Sequence, residues 1–151
     1  MDKASLRELT IRIPMAVPKE LNPNWQPSNI SAQARQGIRS KAINRLKAFA
    51  LIYVITARAL WEQGHKKYWF ALRRASIEVT IVLPPYAKKW DSTNMRAALK
   101  PMEDGLTPPN SFKSGADIIA DDGPECLTWQ DIKWQRGNEA EIVVVIKERL
   151  T

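Results

Sequence analysis

The chain has 151 residues, 44% of them hydrophobic and 26% charged, and a formal net charge of +7. That length predicts one domain with one core, spanning 1–151. One cysteine, Cys126, and one histidine, His65, exclude an internal disulfide and a Cys/His zinc cage, and leave a Ser-His-Asp triad only through His65.

In chain order, SLRELTIRIP alternates Leu9, Ile11 and Ile13 with polar neighbours and stops at Pro14, which predicts a strand. The Pro- and Asn-rich MAVPKELNPNWQPSN that follows reads as loop. Ser28 or Asn29 is placed to cap a long helix over about 30–62. Ile38, Ala42, Leu46, Phe49, Ile52 or Tyr53, and Thr56 recur at three- and four-residue steps on its apolar face. Arg35, Arg39, Lys41, Arg45 and Lys47 make that helix basic. His65, in EQGHKKYW, reads as a solvated residue in the turn after the helix.

RRASIEVTIVLPP alternates Ile77, Val79, Ile81 and Leu83, predicting a second strand with one buried face. A shorter helix is expected over 92–105, capped by Ser92 or Thr93, kinked by Pro101 and stopped at Gly105, followed by a loop through 116. CLTWQDIKWQR and AEIVVVIKER read as a hairpin turning at GNE. The order predicts an α+β fold, a mixed β-sheet with one long and one short helix packed on it. No apolar run reaches the roughly 20 residues that span a bilayer. The opening MDKASLREL lacks the apolar core of a secretory signal. With the lone cysteine, these features predict a reducing, cytoplasmic setting and no membrane partner.

Charge is unevenly placed. Residues 1–90 carry 16 basic and 5 acidic side chains, and residues 91–151 carry 7 and 11. A basic half beside an acidic cluster predicts a nucleic-acid partner. The expected DNA contacts are Arg35, Arg39, Lys41 and Arg45 on the long helix, and Arg73, Arg74, Lys88 and Lys89 flanking the second strand. Trp25, Tyr86 and Trp90 sit in or beside loops, where aromatic rings stack on unpaired bases. Trp61, Trp69, Trp129 and Trp134 are expected in the core or a dimer interface.

The acids gather in two patches, KKWDSTNMRAALKPMEDGL at 88–106 and GADIIADDGPE at 115–125. By itself the first is a capped amphipathic helix with Lys100 and Asp104 paired at i, i+4. By itself the second is a solvated turn. Together, Asp91 and Asp121/Asp122 lie at the margins of apolar segments, where loop-borne ligands sit. Hard oxygen donors of this kind suit Mg²⁺ or Mn²⁺.

DSTN at 91–94, LKPMEDGL at 99–106 and ADDGPE at 120–125 together resemble the RusA-type Holliday junction resolvases of phages and prophages. LNPNW and the basic helix add to the likeness, which covers most of the chain. The resemblance implies a single RusA-like endonuclease domain. It implies a homodimer that binds four-way DNA junctions and nicks paired strands using Mg²⁺, with no small-molecule cofactor, in a bacterial host cell. It also implies that Asp91 and Asp122 bind metal, with Asn94 and Asp121 as close support. Lys100 would contact phosphate and Asp104 would orient the site. Thr93 stands where that pattern has a second aspartate, so the site carries less negative charge; a junction-binding protein with weak or no cleavage is the alternative.

Overall fold

A computed structural model describes residues 6–111 and 114–150. Ser5, where the predicted first strand begins, and Phe112 and Lys113 of the predicted loop lie outside them.

The fold is α+β, built on a five-stranded mixed sheet. β1 (Glu8–Ile13), β5 (Glu141–Glu148) and β2 (Ala75–Leu83) are successive antiparallel neighbours. Their period-two patterns bring matching residues into rows: Leu9–Ile146–Ile77, Ile11–Val144–Val79 and Ile13–Ile142–Ile81. All nine side chains are at most 3% exposed, so one sheet face is the floor of the core. Glu8, Thr10 and Arg12 of β1 are exposed on the other face.

The predicted hairpin does not form. β3 (Leu127–Trp129) and β4 (Lys133–Arg136) both run parallel to β2 along one edge, while β5 occupies the other. The apolar rows of β5 match those of β2 and β1, which holds β5 in the middle of the sheet and leaves the polar β4 at its edge. The segment 137–140 therefore passes the end of β2. Gly137 donates its N–H to the Leu83 carbonyl at 3.0 Å, and a Cβ at Gly137 would lie 2.7 Å from Val82 Cγ1. Valine is stiff at χ1, so Gly137→Ala should destabilise the fold by about 1 kcal/mol, read as a lower urea midpoint at unchanged slope. An unchanged midpoint would show that Val82 yields freely.

α1 (Ala32–His65) packs on β1 and α3. Its cap is Ser31, not Ser28 or Asn29; Ser31 Oγ accepts from Ala34 N at 3.1 Å. The helix also runs further than expected, so His65 is its last residue. The His65 ring stacks on Trp61 at 4.1 Å, and Lys66 takes the left-handed conformation (φ 55°) that ends the helix. The buried line is Ala42, Leu46, Ala50, Val54 and Trp61. Ile38 and Ile52, expected on the apolar face, are 37% and 59% exposed: Ile52 lies off the narrow buried stripe, which advances mainly by four residues, and Ile38 lies on that row but one turn before its first buried residue, Ala42. Among the described residues no helix is long and apolar enough to cross a membrane.

The expected short helix is two: α2 (Ser92–Ala98) and α3 (Lys100–Asp104), meeting at Leu99. Pro101 lacks an N–H and is tolerated only in a first turn, so the helix restarts around it. The chain then returns to the end of α3: Ala116 N bonds Gly105 O and Ile118 N bonds Leu106 O, both at 2.8 Å. Gly115 allows this return, since a Cβ there would meet the Thr107 carbonyl oxygen at 1.9 Å. Residues 118–120 then run parallel to Leu72, extending the β2 edge. The loop carrying Asp121 and Asp122 is thereby brought beside α3.

Candidate functional site

The acidic patches meet at Lys100. Its ammonium bonds Glu103 Oε2 at 3.1 Å, lies 3.3 Å from Asp104 Oδ1 and bonds Asp122 Oδ2. Glu103 and Asp104 reach it because residues three and four apart on a helix share a face. Asp122 reaches it because the 116–120 segment is pinned to both α3 and Leu72. Among the described residues, three carboxylates meet one cation here, Lys100.

The Lys100 ammonium is held above the usual lysine range. Partial burial alone would lower it, but the hydrogen bonds to Asp122 and Glu103 and the charges of Glu103 and Asp104 outweigh burial. With a raised value, the ammonium stays charged below and through the ordinary lysine range. Lys100 is therefore a fixed positive charge and not a base near neutral pH.

Glu103 was not singled out from sequence. It is 8% exposed, and its second oxygen, Oε1, accepts from Trp129 Nε1 at 2.9 Å. Arg96 lies over the Trp129 ring, 5.1 Å from its centroid. Its sequence signal is LKPMED, where Glu103 follows Lys100 by three residues and so shares the helix face with the i+4 partner Asp104. Trp129 thus joins strand β3 to the site through a hydrogen bond as well as by filling space.

Thr93 faces the same place. A depression of about 480 Å³ is lined by Thr93, Arg96, Ala97, Lys100, Glu103 and Trp129. Asp91 stands at the start of α2 and caps it, in place of Ser92 or Thr93. Asp91 Oδ1 accepts from Thr93 N at 2.9 Å and from Asn94 N at 3.2 Å. Asn94 thus meets Asp91 through its backbone N–H. Asp121 Oδ1 accepts from Asp122 N at 2.9 Å, which shapes the loop. The structure therefore brings Lys100, Asp104 and Asp122 together with Glu103, and leaves Asp91 at a helix start and Asp121 in a turn.

Hard carboxylate oxygens are the right donors for Mg²⁺, but the point where three of them converge is filled by an ammonium. Among the described residues no three His, Cys, Asp or Glu side chains form a group able to hold a metal ion. As they stand, these residues do not fit a preformed three-ligand metal centre.

Two of the eight expected DNA contacts hold loop backbone. Arg35 Nη1 donates to the carbonyls of Pro27 and Ile30, each at 3.0 Å. Arg39 donates to Glu20 O at 3.2 Å and to Trp25 O, holding the 19–25 loop against α1. Lys41, Arg45, Arg73, Arg74, Lys88 and Lys89 are exposed. Of the loop aromatics Tyr86 is 92% exposed, whereas Trp90 is half-buried against the core and Trp25 half-buried beside Arg39. Trp61 and Trp69 are buried at 8% and 2%, and Trp129 and Trp134 pack on the core.

The chain matches no protein-family model and no curated protein sequence.

Proposed function

We propose that this chain is a structure-selective endodeoxyribonuclease of the RusA type, a Mg²⁺-dependent hydrolase that binds branched DNA and resolves four-way junctions by paired nicking in recombination and repair. The observation that carries the reading is the meeting of two acidic motifs at the Lys100 ammonium, which bonds Asp122 from 22 residues away in sequence. The Lys100 ammonium, with Thr93 on the adjoining helix and Asp91 at its cap, is the positive charge proposed to meet a phosphodiester, against the repulsion of the three carboxylates that hold it. Lys100 acts there as an electrostatic contact, and Asp122, Asp104 and Glu103 hold it in place. Mg²⁺, with Mn²⁺ able to substitute, is the proposed cofactor; the described residues present no preformed three-ligand site for it, so what this chain's own residues supply is the charge and positioning at Lys100. The proposal places the protein in the cytoplasm of a bacterial cell, encoded by phage or prophage.

A homodimer belongs to the proposal, since a two-fold junction asks for a two-fold protein. An exposed apolar stripe on α1 supports it, with Ile52 59%, Ile55 51% and Leu60 62% exposed.

Six exposed cations remain of the expected DNA contacts. If each neutralises one phosphate, affinity for a junction should fall roughly 10³-fold between about 50 and 200 mM salt. Arg45→Ala should reduce the slope of log affinity against log salt by about 0.9. Arg35→Ala, whose guanidinium serves the loop, should leave the slope unchanged; equal loss in both variants would return Arg35 to the DNA surface.

A second reading is a DNA-binding protein of the same fold that cuts weakly or not at all. It is favoured by the ammonium at the point of convergence and by uncharged Thr93 in the depression. The test is a labelled four-way junction incubated with Mg²⁺, Mn²⁺ or EDTA. Paired nicks in the metal arms alone are expected. Tight binding without nicks in any arm, with nicks appearing in Thr93→Asp, would establish the second reading.

A further inference from the structure

The charge of Lys100 is already answered by three carboxylates, so a phosphate drawn to this place needs a second cation that is not committed. Arg96 is such a cation. It is exposed, and among the described residues its guanidinium enters no ion pair and no hydrogen bond. It lies over the Trp129 ring, 5.1 Å from the centroid, and lines the depression of about 480 Å³ shared by Thr93 and Lys100. Arg96 follows Thr93 by three residues on α2 and so shares its face. Lys100 opens α3 beyond the joint at Leu99 and borders the same space.

The neighbouring acids do not answer Arg96. Glu103 is the acid that lines the depression, and it is nearly buried, with Oε1 taken by the Trp129 indole and Oε2 by Lys100. Asp104 and Asp122 turn to Lys100 and lie outside the lining. Asp91 is occupied as the cap of α2 and also lies outside it. The depression therefore holds one uncompensated positive charge. A guanidinium held over an aromatic face keeps its in-plane N–H donors for another partner, and the ring limits the freedom lost when that partner arrives. The partner that matches a planar fork of N–H donors is a doubly accepting oxyanion. For a chain of net charge +7 read as binding DNA, that oxyanion is a backbone phosphodiester.

Thr93 fits the same picture. An aspartate there would stand three residues before Arg96 and answer its charge within the helix. The threonine hydroxyl leaves the guanidinium open and adds a donor beside it.

From this we infer that the depression between α2 and β3 is a phosphate site: Arg96 grips a backbone phosphodiester of the bound DNA through two N–H donors, and Thr93 Oγ1 donates to the same group. The strand is thereby laid against the Lys100 cluster, and Arg96 supplies the attraction that offsets the carboxylates there. This rests on the proposed DNA-binding reading and deepens it.

The test uses the full chain and a set of four-way junctions in which single phosphates near the branch point are replaced, one per junction, by neutral methylphosphonates. With the unaltered protein, at least one replacement should weaken binding about tenfold, as loss of a charge-assisted pair does. In Arg96→Gln that same replacement should cost less than about twofold, because its partner is already gone, while replacements elsewhere keep their effect. Thr93→Asp, which sets a carboxylate beside Arg96, should show the same selective loss and serves if Arg96→Gln does not fold. Replacements that act equally on the unaltered protein and on a folded variant would overturn the phosphate site alone. Absence of binding to any DNA by the unaltered protein would overturn the DNA reading with it.

Discussion

Lys100→Met should reduce junction cleavage by at least about 10²-fold, as loss of a preorganised charge at a reacting phosphate does. The same change leaves Glu103, Asp104 and Asp122 without the cation on which they converge. Glu103 suffers most, because it is nearly buried and keeps only the Trp129 indole N–H of its two side-chain partners. Lys100 itself is about half exposed, so the stability loss should be limited to about 1 kcal/mol. Activity and stability would thus separate: a large kinetic defect in a protein that still melts cooperatively. Lys100→Arg keeps the charge but not the compact ammonium geometry and should recover stability better than cleavage. Because Lys100 remains charged through the ordinary lysine range, the pH profile of cleavage should show no basic limb from this residue below about pH 10. Wild-type cleavage in Lys100→Met would remove the cluster from the chemistry.

Glu148→Ala should be the most destabilising of the substitutions considered. Arg7 is 9% exposed, and its charge is answered by Glu148: Arg7 N and Nη2 donate to the two Glu148 oxygens at 3.0 and 3.1 Å. Arg7 Nη1 donates to Phe70 O at 2.7 Å, and the guanidinium lies 3.6 Å from the centroid of the Phe70 ring. The pair ties the entry of β1 to the end of β5, where Glu148 N also donates to Arg7 O at 2.9 Å. Removing the carboxylate leaves a buried cation without its counter-charge, a loss of about 2–3 kcal/mol. For a chain of this size that lowers Tm by roughly 5–10 °C. Burial alone would raise the Glu148 carboxyl, but the hydrogen bonds and charge of Arg7 hold it below its ordinary value of 4.5. A lowered carboxylate contributes stability that is present above the ordinary value and lost as pH falls through the lower folded one. The gap in Tm between wild type and Glu148→Ala should therefore be full at neutral pH and shrink in acid below 4.5. A gap unchanged at about pH 3 would assign the loss to packing instead of charge.

Much of the fold was legible where a period was strict. The alternation of Leu9, Ile11, Ile13 and of Ile77, Val79, Ile81 gave both strands their buried faces, and Pro14 and Pro84 their ends. Strand partners were not legible: β4 and β5 are adjacent in sequence and read as a hairpin, but cross-sheet matching of β5 with both β1 and β2 decides the order. Helix phase was not legible at Ile52, since an isoleucine signals burial without saying which side of a helix meets the sheet, while Ile38 is in phase with the buried row but one turn ahead of it. In the site, Lys100 with Asp104 was readable from spacing, whereas Glu103 and Trp129 needed the strand β3 to be placed. That Arg35 and Arg39 donate to loop carbonyls was not legible, because charge alone does not reveal a neighbouring loop backbone.

The central claim is that the Lys100–Asp122 cluster cleaves branched DNA. Mapping nicks on a labelled four-way junction with the unaltered protein and with Asp122→Asn, side by side in Mg²⁺, tests it most directly. The account predicts symmetric paired nicks from the first and a loss of at least about 10³-fold in the second, with junction affinity nearly unchanged. Equal nicking by both proteins, or none by either, would contradict it.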